Sequence, residues 1–416
     1  MRPASTGSGS GGDARAVTPC RDPLPTQKKG MRHYLDYAAT SAVRPSSVID
    51  AMSAFLTDCG ATPGRGGHAR SIEAGRVAFR CRRAVAGVLG LPGDPGRIAF
   101  TMNATHALNT ALWGLLRSGD AVVVSQYDHN AVLRPAHYLA RERGVEVRML
   151  SGTPEGEVDL AEAERLLEGA RLLVVNAASN VLGVRLPLRE LARRAHAAGA
   201  LVLLDAAQSA GHMPGRPAED GADLVAFTGH KGLLGPQGTG GLWMRVGVEP
   251  EPLLTGGTGG DSSVRDMPPD LPDRLEAGTG NAPGLAGLLA GCEFVLDKGV
   301  EELHRHEMRL KALLREGLSR VGGVRVLSPA APDGVGVVTV ACDDMDPGTL
   351  ATALDRDHGV CTRPGLHCAP EAHRIMGTLE TGALRFSVGW ASTEKDVEQA
   401  LRGVEEVLRR PTVAVG

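Results

Sequence analysis

Aromatic residues are scarce in this 416-residue chain, with six Phe, four Tyr and three Trp. Its core must therefore be built from Ala, Val and Leu. The seven cysteines are scattered, with no CxxC pair and no zinc-like spacing. An odd number without a secretory pattern argues against a disulfide scaffold and for reduced thiols in a cytoplasm. No apolar run approaches the length needed to cross a membrane, so no membrane partner is expected. The formal net charge of -3 leaves no basic field for nucleic acid. Lysine is rare too, six residues against 39 arginines, so a lysine among small and apolar residues stands out.

Glycine, by contrast, is abundant at 55 residues, which favours tight turns and close backbone approaches, as at a phosphate site. The length allows one large domain plus a smaller one. Residues 1–30 are rich in Gly, Ser, Pro and charge and read as a disordered tail without the apolar segment of a signal peptide. Met31, directly before RHYLDYAAT, offers a second start. From Ile98 onward short apolar runs alternate with amphipathic stretches: RIAF, AVVVS, VEVRML, LLVVNAAS, ALVLLDAAQ, DLVAFTG and GLWMRV. Continuous Val/Leu-rich strands separated by helices predict an α/β fold with a mostly parallel sheet covered on both faces. The stretch from Glu251 to Asn281 is Gly-, Pro- and Asp-rich and aperiodic, and reads as a long functional loop. Beyond it strands and helices interleave differently. The expected division is a large domain over 31–283, with its first residues contributing to the smaller domain, and a small α+β domain over 284–416.

Ligands in parallel sheets sit at the carboxyl ends of strands. Ser125, Asn176, Asp205 and Thr228 all fall at such ends. Asp205 closes ALVLLD, and Lys231 follows 26 residues later in TGHKG. A desolvated lysine is an amine nucleophile able to form a Schiff base. A carboxylate on a neighbouring strand is the partner that a pyridinium nitrogen needs. Together they point to pyridoxal 5'-phosphate (PLP). TMNATH, residues 101–106, joins a strand to a helix start, where free N–H groups suit a phosphate. Thr228, Gly229 and His230 form a second donor cluster beside Lys231. His129 follows a strand, where its ring suits an aromatic cofactor. Gln208 and Asn180 are neutral donors at sheet ends. Cys368 lies in the accessible loop CTRPGLHCAPEAH, where Arg363 or His367 would favour its thiolate. A metal site from Cys361, His367, Cys368 and His373 fits no zinc pattern. Arg385, mid-strand in LRFSVG, is placed to capture a carboxylate. Singly, each has a plain structural reading as well: a helix cap, a surface histidine, a spectator thiol, an internal ion pair.

Assembled in order, YLDYAAT, NATHALN, SNVLG, LDAAQSAGH, TGHKG, EAGTGN, RPGLHCAP and LRFSVG resemble the class V aminotransferase group of fold-type I PLP enzymes. Within that group the chain is most similar to the cysteine desulfurase and selenocysteine lyase family. The resemblance implies that Lys231 carries PLP as a Schiff base, Asp205 pairs with the ring nitrogen, and His129 stacks on the ring and is catalytic. It also implies that Gln208 and Asn180 contact the phenolic oxygen, and that Ala104, Thr105, Thr228 and His230 hold the phosphate. Thr279 would reach the phosphate of a second subunit, implying a homodimer. Cys368 would accept sulfur from L-cysteine, releasing L-alanine and passing sulfur to an acceptor protein. Arg385 would clamp the substrate carboxylate, with Ala39, His68 and Asn180 beside it. The chain departs from the family pattern at Leu366, at Ala104 and in TGGTGGDSS. Transamination, C–S β-elimination or a non-catalytic scaffold therefore stay open.

Overall fold

The computed structural model describes residues 32–64, 66–259, 263–331 and 333–409. The expected tail over residues 1–30 lies outside them. Seven strands form the larger sheet, in the spatial order Ile98–Thr101, Gly240–Met244, Leu224–Thr228, Leu201–Asp205, Leu172–Asn176, Ala121–Ser125, Glu146–Leu150. Every neighbouring pair is parallel except the two that involve Gly240–Met244. The expected mostly parallel sheet is thus present.

The apolar runs have no polar face because both sides of the sheet are covered. Val123, Leu173, Val175, Val202, Leu204, Val225 and Phe227 pack on one side, with residues of helices Ala69–Leu89, Leu160–Leu167 and Leu188–Ala197. The intervening Val122, Val124, Leu172, Val174, Leu203, Leu224 and Ala226 pack on the other, with helices Ala104–Leu115 and Asn130–Arg143. At roughly 25 cal/mol per Å² of apolar surface, each buried valine or leucine contributes about 1.5–3 kcal/mol, so the alternation reflects the largest stabilising contribution available.

A second, four-stranded antiparallel sheet has the order Arg363–Gly365, Ala383–Ser387, Val337–Cys342, Val324–Val326. Near it, His33–Tyr34 pairs in parallel with Val360–Cys361, and Asp36 bridges to Ser387. The segment then crosses to the other sheet. Ser41 N–H donates to the His230 carbonyl and the Ser41 hydroxyl to the Lys231 carbonyl, both at 2.9 Å. Between Glu251 and Asn281 the described residues hold one short helical turn, Asp273–Leu275, and no strand.

The loop after Asp205 and the loop carrying Lys231 touch backbone to backbone. A Cβ on Gly211, whose φ is +79°, would lie 2.2 Å from the Gly232 carbonyl oxygen, and one on Gly232 would lie 2.4 Å from that of Ala210. Only glycine permits this approach, and it fixes the lysine loop against the aspartate turn.

Candidate active site

The carboxyl ends of the strands open into one cavity of about 270 Å³. Register explains the convergence: Asn176 pairs with Asp205, and Asp205 with Ala226, two residues before Thr228. The lining includes Ala39, Ala104, Thr105, His129, Asn180, Asp205, Gln208, Thr228, His230, Lys231 and Arg385. Three expected residues lie elsewhere. His68 is exposed and caps helix Ala69–Leu89, accepting from Ser71 N–H. Thr279 is exposed in the long loop. Cys368 stands beside the cavity, half-buried, with its Sγ 3.7 Å from an Arg363 Nη.

The electrostatics follow from burial. Lys231 lines the cavity; desolvation, aided by Arg385 and Arg363 and opposed by Asp205, pushes its amine down to about 8. About one-tenth of it is then uncharged at pH 7, against a few parts in ten thousand for an ordinary lysine. Acetylation of the coenzyme-free protein over a pH series, mapped by mass spectrometry, is expected to show Lys231 reacting with a midpoint near pH 8. A midpoint above 10 would contradict this desolvated environment. Burial likewise pushes Asp205 up from the usual carboxylate range, with the Ala207 N–H and Lys231 pulling the other way. Its Oδ1 accepts from Ala207 N–H at 2.9 Å. Such a carboxylate gains most from a nearby cationic N–H donor.

His129 begins helix Asn130–Arg143, where its Nδ1 accepts from Ala131 N–H at 3.0 Å. Burial, with Lys231 and Arg363 nearby, pushes it down to about 4. It is therefore neutral at pH 7, with its proton on Nε2. His230, held to the Thr40 hydroxyl at 3.1 Å, is pushed down to about 4 by burial. Gln208 Nε2 donates to the Ala38 carbonyl and Asn180 Nδ2 to that of His367; each amide has a second N–H left to offer.

Arg385 is 1% exposed. One Nη donates to Asp36 Oδ1 at 3.0 Å and the other to the Asn180 carbonyl at 3.1 Å. The internal ion pair and the cavity lining thus belong to the same side chain. Arg363, expected from the sequence as a neighbour of Cys368, also lines the cavity. That role is visible, whereas His367 is turned away from the sulfur. Its ring bonds the Arg363 carbonyl and His373 instead. The Cys368 turn has φ of +51° at His367 and +58° at Cys368. A residue with a Cβ costs roughly 1–2 kcal/mol there, and such outliers gather at functional sites.

A model of the aminotransferase class-V family matches residues 33–400. The chain belongs to that family. Among class-V proteins, it is 36% identical to a probable cysteine desulfurase of Methanothermobacter thermautotrophicus over 386 residues, covering 90% of this chain and 94% of the relative. Identity to the probable cysteine desulfurase 2 of Mycobacterium leprae is 35%, covering 93% and 96%. The apo structure of the cysteine desulfurase from Thermococcus onnurineus superposes with a TM-score of 0.83 at 34% identity, covering 90% of this chain and 94% of that one. The Escherichia coli cysteine desulfurase CsdA gives 0.81 at 28% identity, covering 91% and 94%. These superpositions place the class-V chain in the fold that its motifs implied.

Proposed function

We propose that this chain is a PLP-dependent cysteine desulfurase: it takes sulfur from L-cysteine, leaves L-alanine, and carries the sulfur as a persulfide on Cys368. The observation that carries the reading is the strained Cys368 turn, with a guanidinium on its sulfur, beside a cavity that holds a desolvated lysine and a buried aspartate. Its similarity to cysteine desulfurases supports it.

The residues fit PLP. Thr228 Oγ1, Asn180 Oδ1 and Arg385 Nε, three buried polar atoms with no hydrogen-bond partner among the described residues, belong to residues lining the cavity. Lys231 would hold the coenzyme covalently and Asp205 would pair with its ring nitrogen. His129 would stack on the ring, and Gln208 and Asn180 would face its phenolic oxygen. The first-turn amides at Ala104 and Thr105, the Thr228 hydroxyl and His230 would hold the phosphate. Thr279 would reach the phosphate held by a second copy of the chain, making a homodimer. When bound, the coenzyme supplies an electron sink for the carbanion at the substrate Cα.

The chain's own groups do the rest. Arg385 holds the substrate carboxylate, with Asn180 and Ala39 on the substrate side. The uncharged Lys231 Nζ takes the proton from Cα and returns a proton there after the sulfur has left, so that the product is L-alanine. Cys368 Sγ bonds to the substrate sulfur as the Cβ–S bond breaks, and the electron pair and a proton end on Cβ. One thiol on each partner becomes a persulfide and a methyl group, so no external oxidant is consumed. An acceptor protein then receives the sulfur.

The same reading keeps residues 31–283 as the coenzyme-binding domain and 284–416 as the smaller one, since the two sheets fall on either side of that boundary. It also keeps the cytoplasmic setting; among the described residues no helix is long and apolar enough to cross a membrane.

A product assay tests the proposal. Purified protein with PLP, L-cysteine and a reducing thiol is expected to yield L-alanine and sulfide in equal amounts. Pyruvate and ammonia in place of alanine would replace it with C–S β-elimination, and a keto acid with transamination.

A further inference from the structure

His367, in the Cys368 turn and on the cavity wall, and His373 behind it take no part in the steps above. His367 is 3% exposed and His373 fully buried. His367 Nε2 lies 2.9 Å from the Arg363 carbonyl oxygen, and His367 Nδ1 lies 3.1 Å from His373 Nε2. His373 Nδ1 lies 2.8 Å from the Thr378 hydroxyl.

Donor counting leaves one arrangement. A carbonyl oxygen only accepts, so His367 carries a proton on Nε2. Burial, aided by the Arg385 guanidinium, pushes His367 down to about 3, and burial pushes His373 down to about 4. Both rings are neutral at pH 7. His367 Nδ1 is therefore a bare lone pair, and His373 must donate to it from Nε2. That leaves His373 Nδ1 as an acceptor at 2.8 Å from the Thr378 hydroxyl, much closer than that hydroxyl's other acceptor, the His373 carbonyl at 3.5 Å. The opposite tautomer of His373 would set two lone pairs face to face at 3.1 Å in a buried site, at an unfavourable cost.

The chain ends where the thiol begins. The Arg363 carbonyl opens the short strand Arg363–Gly365 that leads into the turn. From its other side the turn is held by Asn180 Nδ2 on the His367 carbonyl and Asn130 N–H on the Cys368 carbonyl, each at 2.7 Å. Two consecutive residues with positive φ persist only where their surroundings over-determine them.

We propose that Thr378, His373 and His367 form a one-way hydrogen-bond relay, both rings protonated on Nε2, that positions the Cys368 turn. His373 and Thr378 are positioning residues: they touch no reacting atom and act through His367 on Arg363 and Cys368. The consequence for sulfur transfer rests on the reading of Cys368 as sulfur acceptor; the tautomers and the anchoring do not.

Histidine-labelled holoenzyme tests the tautomers by nitrogen NMR at pH 7. The His373 signals are identified by their loss in His373→Gln and those of His367 by their shift. Both rings are expected as neutral Nε2–H tautomers; an imidazolium or an Nδ1–H form in either would overturn the relay. His373→Phe keeps the ring volume and removes the donor. It is expected to lower the kcat for alanine formation, and the single-turnover sulfur load on Cys368, by about tenfold or more, the scale on which misplaced groups lose rate. KM for L-cysteine should stay within about twofold, as expected when only a later step is disturbed. His373→Gln, which can still donate to His367 and accept from Thr378, should restore most of the rate. If His373→Phe fails to fold, Thr378→Val, which removes only the hydroxyl donor, should lower kcat in the same sense. Unchanged sulfur loading in a folded His373→Phe protein would overturn the proposal, as would no recovery with glutamine. Should Cys368 prove dispensable, the sulfur-acceptor reading fails while the NMR result still decides the relay.

Discussion

Lys231→Ala is expected to make alanine at least about 10³-fold more slowly than the parent protein, since it would lose both the proposed covalent anchor and the proposed general base. Borohydride treatment of the parent with PLP should fix the coenzyme on a single peptide containing residue 231; the variant should show no such adduct. Size and cause both follow from the cavity. Asp205 and Lys231 share its lining, and no other described lysine does. Lys311, also pushed down to about 8 by burial, is 2% exposed and donates to the Gly183 carbonyl away from this site. It cannot substitute. The fold should survive, because Lys231 has no ion pair among the described residues and its loop is held by the Ser41 contacts and the Gly211–Gly232 approach. Turnover in the variant within tenfold of the parent would remove Lys231 from the chemistry.

The second large effect separates two readings of the same scaffold. Cys368→Ala is expected to lower alanine formation from L-cysteine on the order of 10³-fold, the scale of losing a nucleophile. Coenzyme attachment should be unchanged, because Cys368 is not part of the cavity lining. The turn itself should persist, since its anchors are backbone carbonyls and not the sulfur. A β-eliminating or transaminating enzyme would not need this thiol, so undiminished turnover would rule out the desulfurase reading while leaving Lys231 in its role. Arg363 supplies an internal control: its guanidinium faces the sulfur, so Arg363→Leu should reduce sulfur loading in the same direction by a smaller factor.

What could be read from the chain alone follows from how each feature is encoded. The parallel sheet was legible because strands buried on both faces appear as unbroken runs such as Val122–Val124. The convergence of Asn176, Asp205 and Thr228 was legible because in-register parallel strands must end together. Helix Ala69–Leu89 went unread: its buried face includes the small residues Ser71, Ala74, Ala78, Cys81 and Ala84, with an arginine that reaches the Ile98 carbonyl and Glu276. The reversed direction of Gly240–Met244 is invisible in a run that looks like its neighbours. The role of Arg363 and the His367–His373 contact depend on a turn whose positive φ values fall on non-glycine residues, where no composition rule signals them. The segment CTRPGLHCAPEAH reads as an accessible loop, but nothing in its composition gives the shape of the turn.

The segment from His33 to Ser41 has a mechanical consequence. One end is stitched into the strands near Arg385, through Val360, Cys361 and Ser387, and the other is bolted to the carbonyls of His230 and Lys231. It works as a tie-rod, so the jaw proposed to grip the substrate's acid group and the arm proposed to bear the reactive amine share one backbone link that resists their drifting apart.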